Sequence, residues 1–214
     1  MHTYSVDSKE RVKVIVVLVI LSYFCTIGIN YFLEWVMNSI CKIEIIDNLI
    51  SQIEVIGIDI KQITILAVFW GLYELFDKKL WKMKIFQKTC VKIPNLNGKW
   101  RGTYHSNYKG GKIGDANLEI QQTWTKISII SHHKESNSYS RVASILLDTN
   151  KGINIVFQYE NITNEKSSKT MHNHRGYSDL IYKKENNEEN LQGDYTGDQI
   201  NRKAAGYVTY TKIN

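Results

Sequence analysis

Proline is almost absent from this chain: Pro94 is the only one in 214 residues. Cysteine is scarce too. Cys25, Cys41 and Cys90 all lie in the first half, too few and too early to staple a fold, which argues against a disulfide-built secreted module. There is no GxxxxGK[ST] loop and no GxGxxG following a strand, so ordinary nucleotide hydrolysis and dinucleotide-cofactor sites are excluded. HExxH and CxxC are missing as well. His172-x-His174 and His132-His133 lack spaced carboxylate or cysteine partners, so no metal is expected. Ser, His and Asp occur without a nucleophile-elbow signature, and no catalytic residues are assigned. The reading that remains is a binding protein, not an enzyme, with no cofactor.

What is present averages to something ordinary. Lys+Arg number 27 against 21 Asp+Glu, a net charge of +6, and 43% of residues are hydrophobic. The sequence pI is about 9.0 and the mean hydropathy is -0.29. Such a chain has enough apolar residues for a core and too few for a polytopic transporter. The averages hide two unlike parts.

Residues 14–33 carry no Asp, Glu, Lys or Arg. At about 1.5 Å per residue, 20 helical residues cover roughly 30 Å, the thickness of a bilayer core. Tyr31, Glu34 and Trp35 close the run in the manner of an interface, and no small-x-small cleavage site follows the basic start at Lys9, Arg11 and Lys13. A second span is expected near 55–76, with Asp59, Lys61 and Glu74 toward its ends, where long side chains snorkel. An amphipathic helix lying on the membrane is the alternative there. The connection 34–54 is acidic, and Lys78, Lys79, Lys82, Lys84, Lys88 and Lys92 follow the second run. Positive charge stays inside, so both termini are expected in the cytoplasm of a cell whose inner membrane holds the two spans. Anionic headgroups suit the Lys cluster better than DNA or RNA, given its place beside a span.

The character changes at Ile93-Pro94-Asn95. Residues 1–94 read as a membrane region with a basic juxtamembrane segment, and 95–214 as a cytosolic domain. Beyond Pro94 the pattern is period two, with turn signals at Lys109-Gly110-Gly111, Asp148–Gly152 and Glu185–Glu188. Strands are expected near 97–106, 115–123, 125–133, 139–149, 153–162, 171–184, 190–197 and 204–213. Eight strands in meander spacing suggest an all-β, closed antiparallel barrel, with a β-sandwich as the rival. Trp124 breaks the local alternation, which predicts a bulge or bend over 123–126.

Alternation assigns faces. Trp100, Gly102 and Tyr104 share one; Phe157 and Tyr159 share one; His174, Gly176, Ser178 and Leu180 share one; Leu191, Gly193 and Tyr195 share one. The inward set is aromatic and small. An eight-stranded barrel is just wide enough to hold one small ligand, and aromatic rings offer stacking surfaces to planar groups. Equally, these rings could simply fill the interior.

The pieces Asn97-Gly98-Lys99-Trp100-Arg101-Gly102-Thr103-Tyr104, Ile120-Gln121-Gln122-Thr123-Trp124, the Ser-rich 136–144, Tyr159-Glu160-Asn161, His174-Arg175-Gly176 and Leu191-Gln192-Gly193-Asp194-Tyr195-Thr196, with a late Gly206, come in an order that carries a resemblance. Placed after two apolar runs, they are similar to the two-transmembrane, β-barrel effectors of bacterial cyclic-oligonucleotide-based antiphage signalling (CBASS). Openings of the Gly-x-Trp-x-Gly-x-Tyr kind also occur in lipocalin-like and avidin-like barrels, and a barrel of that type is expected here. Where family members have proline after the Tyr-Glu-Asn piece, this chain has Ile162. The resemblance implies a receptor for a cyclic dinucleotide made by a cognate nucleotidyltransferase. It also implies homo-oligomerisation on activation and disruption of the inner membrane, ending in abortive infection. Such a ligand has two phosphates and two bases. Arg141, Arg175 and Arg202 would meet phosphates. Tyr104, Trp124, Tyr159 and Tyr195 would stack on bases. Thr125, Ser140, His174 and Thr196 would read base edges or ribose.

Two other classes fit the same residues: a membrane-anchored lipocalin-like carrier of an apolar ligand, and a protein-interaction module with no nucleotide ligand.

Overall fold

The computed structural model describes residues 1–40, 64–107, 111–164, 173–186, 188–197 and 204–213, without the side chains of Met37 and Ile40. By its contacts the chain divides into two compact units, Lys9–Phe86 and Met1–Ser8 with Gln87–Asn214.

The first unit is helical. Helix α1 runs Glu10–Ile40 and α2 runs Ile65–Lys78, followed by a 3-10 turn at Leu80–Lys82. Among the described residues, α1 alone is long and apolar enough to cross a membrane. It exposes Val16, Val17, Ile20, Leu21 and Phe24, and buries a stripe, Val14, Leu18, Ser22 and Thr26, at every fourth residue. Helix α2 packs against α1. Inside α1 the polar side chains are satisfied locally: Ser22 Oγ donates to Val19 O at 2.7 Å and Thr26 Oγ1 to Ser22 O at 2.7 Å.

The expected second span over 55–76 does not form as one helix. Thr64 is extended and caps α2, its side chain accepting from Ala67 N. The helix that starts there has 14 residues, about 21 Å, which is short of a bilayer. Residues 55–63 lie outside the described residues.

The second unit is β. After helix α3 (Lys84–Thr89), the chain makes β2 (Gly98–Ser106), β3 (Lys112–Gln122), β4 (Lys126–His132), β5 (Ser136–Thr149), β6 (Gly152–Thr163), β7 (His174–Glu185), β8 (Glu188–Gly197) and β9 (Ala205–Ile213). These lie at the eight places expected. A ninth strand, β1 (His2–Val6), comes from the extreme N-terminus, which the sequence had left with the membrane region. The pairings run round into a closed barrel, so a sandwich is not what forms. Neighbours from β2 to β9 are antiparallel meander pairs, and β2 also pairs with β9.

One seam is different. Strands β4 and β5 pair only at Ile130–His132 against Asn137–Tyr139. Below that, β1 fills the gap, antiparallel to β4 at His2 and Thr3 and parallel to β5 at Tyr4, Ser5 and Val6. Tyr4 is buried there, its hydroxyl donating to Trp124 O at 2.8 Å. Asp7 Oδ1 accepts from Leu147 N at 2.8 Å just beyond.

Large side chains plug the barrel end that holds the β3–β4 turn. Trp100, Trp124, Leu96 and Ile127 are all fully buried. Trp100 Nε1 donates to Leu96 O at 3.0 Å, and the buried Gln122 accepts from Leu96 N at 2.8 Å. The bulge or bend expected at 123–126 is present as a bend, a tight turn closed by Thr123 N donating to Lys126 O at 2.8 Å. Its Trp124 breaks the alternation because it folds back into the core. The register shifts fall in β5, between Ser140 and Val142 and between Leu146 and Thr149.

Candidate functional site

The opposite end of the barrel is hollow. A cavity of about 280 Å³ opens where β2, β4, β6 and β8 end, near the lower bound of roughly 300–1,000 Å³ typical for small-ligand pockets. Its wall is built by alternation, every second residue of a strand facing in. Tyr104, Phe157, Tyr159, Tyr195 and Tyr210 give aromatic surface, and Leu118, Ile129, Leu180 and Val208 give aliphatic surface. Ser131, Ser136, Ser138, Asn161 and Ser178 add polar groups, and Lys112, Lys134, Glu135, His133 and His174 complete the lining.

Glycines make the room for three of the tyrosines. Tyr104 pairs in register with Gly114, Tyr159 with Gly176 and Tyr195 with Gly206. A Cβ on Gly114 would lie 2.7 Å from the Tyr104 ring, and one on Gly206 would lie 2.7 Å from the Tyr195 ring. On Gly176 it would overlap the Tyr159 phenol outright. Each ring therefore lies flat across its neighbour strand.

The polar groups form two clusters. In one, Asn161 Nδ2 donates to Ser136 Oγ at 3.0 Å and to Ser138 Oγ at 2.9 Å. In the other, Ser131 Oγ lies 2.9 Å from His133 Nε2, and the His133 ring meets Tyr104 edge to face at 5.6 Å. Burial lowers the His133 pKa, with His132 adding to the effect. A neutral imidazole is thus favoured at pH 7. Burial pushes the Tyr210 phenol up to about 12, against a hydrogen bond from Ser131 that lowers it. Tyr159 OH donates to Thr196 O at 3.3 Å.

Of the residues singled out from sequence, Tyr104, Tyr159, His174 and Tyr195 line this cavity. Others lie elsewhere. Trp124 and Thr125 sit in the β3–β4 turn at the closed end, Trp124 only 1% exposed. Ser140 Oγ is engaged by His2 Nε2 at 2.8 Å and Ile129 N at 2.9 Å. Arg141 is the extra residue at the first β5 shift and is exposed, its Nε 3.5 Å from Glu160 Oε2. Arg175 alternates with His174 and is exposed. Thr196 contributes its carbonyl to Tyr159. Arg202 is outside the described residues.

The cations that do line the cavity, Lys112 and Lys134, were not singled out, nor were Asn161, Ser136 and Ser138. Alternation carried a signal for the last three, since Asn161 is in step with Phe157 and Tyr159. No such signal exists for lysines at strand ends.

The sequence has its match among known proteins. The family model described as Cap15, cyclic dinucleotide receptor domain, covers residues 91–212. A CD-NTase-associated protein 15 from Yersinia aleksiciae is 31% identical over 147 residues, spanning 69% of this chain and 68% of that protein.

Proposed function

This chain belongs to the Cap15 cyclic dinucleotide receptor family, and from that premise we propose that the barrel cavity binds a cyclic dinucleotide made by a cognate nucleotidyltransferase in antiphage defence. The observation that carries the reading is the cavity's composition. Flat tyrosines suit bases, a serine–asparagine cluster suits base or sugar edges, and Lys112 and Lys134 suit phosphates. An apolar carrier would have little use for that polar wall. A ligand-free interaction module would have little use for the hollow.

The membrane step rests on α1. Binding promotes homo-oligomerisation, and the assembled apolar helices disrupt the inner membrane, so that the infected cell stops before phage are released. The barrel faces the cytoplasm, where the messenger is made. Chain order adds a constraint: β1 precedes α1 and shares one sheet with strands that follow residue 97.

The test is thermal stabilisation of the full chain in detergent by a panel of cyclic dinucleotides. A ligand at 100 times its Kd adds about 2.7 kcal/mol to stability. No shift with any cyclic dinucleotide or larger cyclic oligonucleotide overturns the receptor reading. In cells making both this chain and its cyclase, an intact membrane potential after phage challenge overturns the disruption step.

A further inference from the structure

Among the described residues of the cavity wall, one buried side-chain acceptor accepts nothing. Asn161 is 4% exposed. Its Nδ2 is used twice, on Ser136 and Ser138, while its Oδ1 has no hydrogen-bond partner. A buried carbonyl left in that state is costly, and a native protein keeps one where something else completes it.

The missing partner is a donor. A phosphate offers only acceptors at neutral pH, so the ligand's backbone charges do not complete this group. A base amino group or a hydroxyl does. Position chooses between them. Asn161 lies two residues beyond Tyr159 on the same strand face, about 6.6 Å along the strand. A base lying on the Tyr159 ring extends its edge over that distance, and an exocyclic amino group is the donor that projects furthest from such an edge. With Nδ2 held by two serines, Asn161 cannot make the two-point contact by which asparagine usually reads adenine. It presents a single acceptor.

Resting on the receptor reading above, we propose that Asn161 is a specificity-determining residue, its Oδ1 accepting a hydrogen bond from the exocyclic amino group of a ligand base. Ser136 and Ser138 are positioning residues that hold the amide in the orientation that points its oxygen, not its nitrogen, at the ligand. An amide turned the other way would prefer a carbonyl edge, and the experiment separates the two.

The full chain in detergent is titrated calorimetrically with cyclic di-AMP, cyclic di-GMP, cyclic di-UMP and mixed-base cyclic dinucleotides. It is also titrated with analogues in which purine riboside replaces adenosine or inosine replaces guanosine. For the tightest natural ligand, deleting the amino group weakens wild-type binding about tenfold, the scale of one buried hydrogen bond. Asn161→Ala binds the two forms equally. Asn161→Asp keeps an acceptor and restores the preference, which guards against a variant that merely folds badly. Equal wild-type affinity for the amino and deamino forms, or a preference for cyclic di-UMP, overturns the assignment while leaving the receptor intact. Failure of the wild type to bind any cyclic dinucleotide or larger cyclic oligonucleotide overturns the receptor reading itself.

Discussion

Tyr159 lies across Gly176, its partner in register on the next strand, and the phenol occupies the space that a Cβ on Gly176 would need. The glycine thus shapes the cavity wall without lining it. It sets the tilt of a ring whose hydroxyl is tied to Thr196 O.

Gly176→Ala should therefore move Tyr159 into the cavity. We expect a loss of about 1–3 kcal/mol in stability, the usual range for overpacking, together with loss of ligand-induced stabilisation. Melting curves with and without cyclic dinucleotide measure both. A variant that melts lower but keeps its full ligand shift would show that the Tyr159 tilt is irrelevant to binding.

The two ends of the barrel should respond differently to mutation. Trp124→Ala removes a buried ring from the closed end and should cost about 3–5 kcal/mol, with any lost binding following from unfolding. Lys112→Ala and Lys134→Ala should leave the melting temperature within a degree or two. They should weaken an anionic ligand and flatten the salt dependence of its affinity. Titrations at two salt concentrations read this directly.

His133 gives a pH dependence whose sign is fixed. Burial lowers its folded-state pKa below the ordinary value near 6.5. At pH 7.5 both folded and unfolded forms are neutral and this group costs nothing. As pH falls below 6.5 the unfolded chain takes up the proton first, so stability drops until the folded pKa is passed. His133→Gln should lessen the fall in melting temperature between pH 7 and pH 5. An unchanged pH profile in the variant would locate the acid sensitivity elsewhere.

What the sequence disclosed follows from local periodicity. Each meander strand alternates clearly, so Phe157, Tyr159, Ser178 and Leu180 could be turned inward from spacing alone, and all four are in the cavity wall. Isolated polar residues were harder. Arg141 and Ser140 looked like ligand groups, but Arg141 is the exposed extra residue at a register shift in β5, and Ser140 Oγ is already engaged by His2 and Ile129. Neither fact is written in neighbouring residues. Trp124 marked the bend, but nothing in the local pattern told that the turn tips its ring into the core at the closed end. The second span misled because a run of apolar residues conceals the cap at Thr64. His2–Val6 is five residues long, and no pattern that short announces a strand whose partners are so distant.

Helix α1 offers a plain test of membrane attachment. Ile20 and Phe24 are exposed near the middle of the apolar run. A lysine at a span centre is disfavoured by about 2.5–3.5 kcal/mol, so Ile20→Lys with Phe24→Lys should release the protein to the soluble fraction. Persistence in the membrane pellet would point to another anchor.

Removing His2–Val6 should loosen one seam only. Amides of Ala143, Ser144 and Ile145 in β5, which face β1, should exchange faster with solvent, while β2, β3 and β7–β9 keep their protection. Uniform acceleration across all strands would mean that β1 supports the whole barrel.

The strand that fills this seam is made well before its partners in β4 and β5. Ser5 waits for Ser144, 139 residues downstream. At roughly 5–20 residues per second of synthesis, that interval lasts on the order of ten seconds, during which the apolar helix has already left the ribosome. If α1 spans the bilayer as proposed, its insertion comes before the barrel can shut. On the proposed reading, every receptor is tethered to its membrane before it is able to hear its signal.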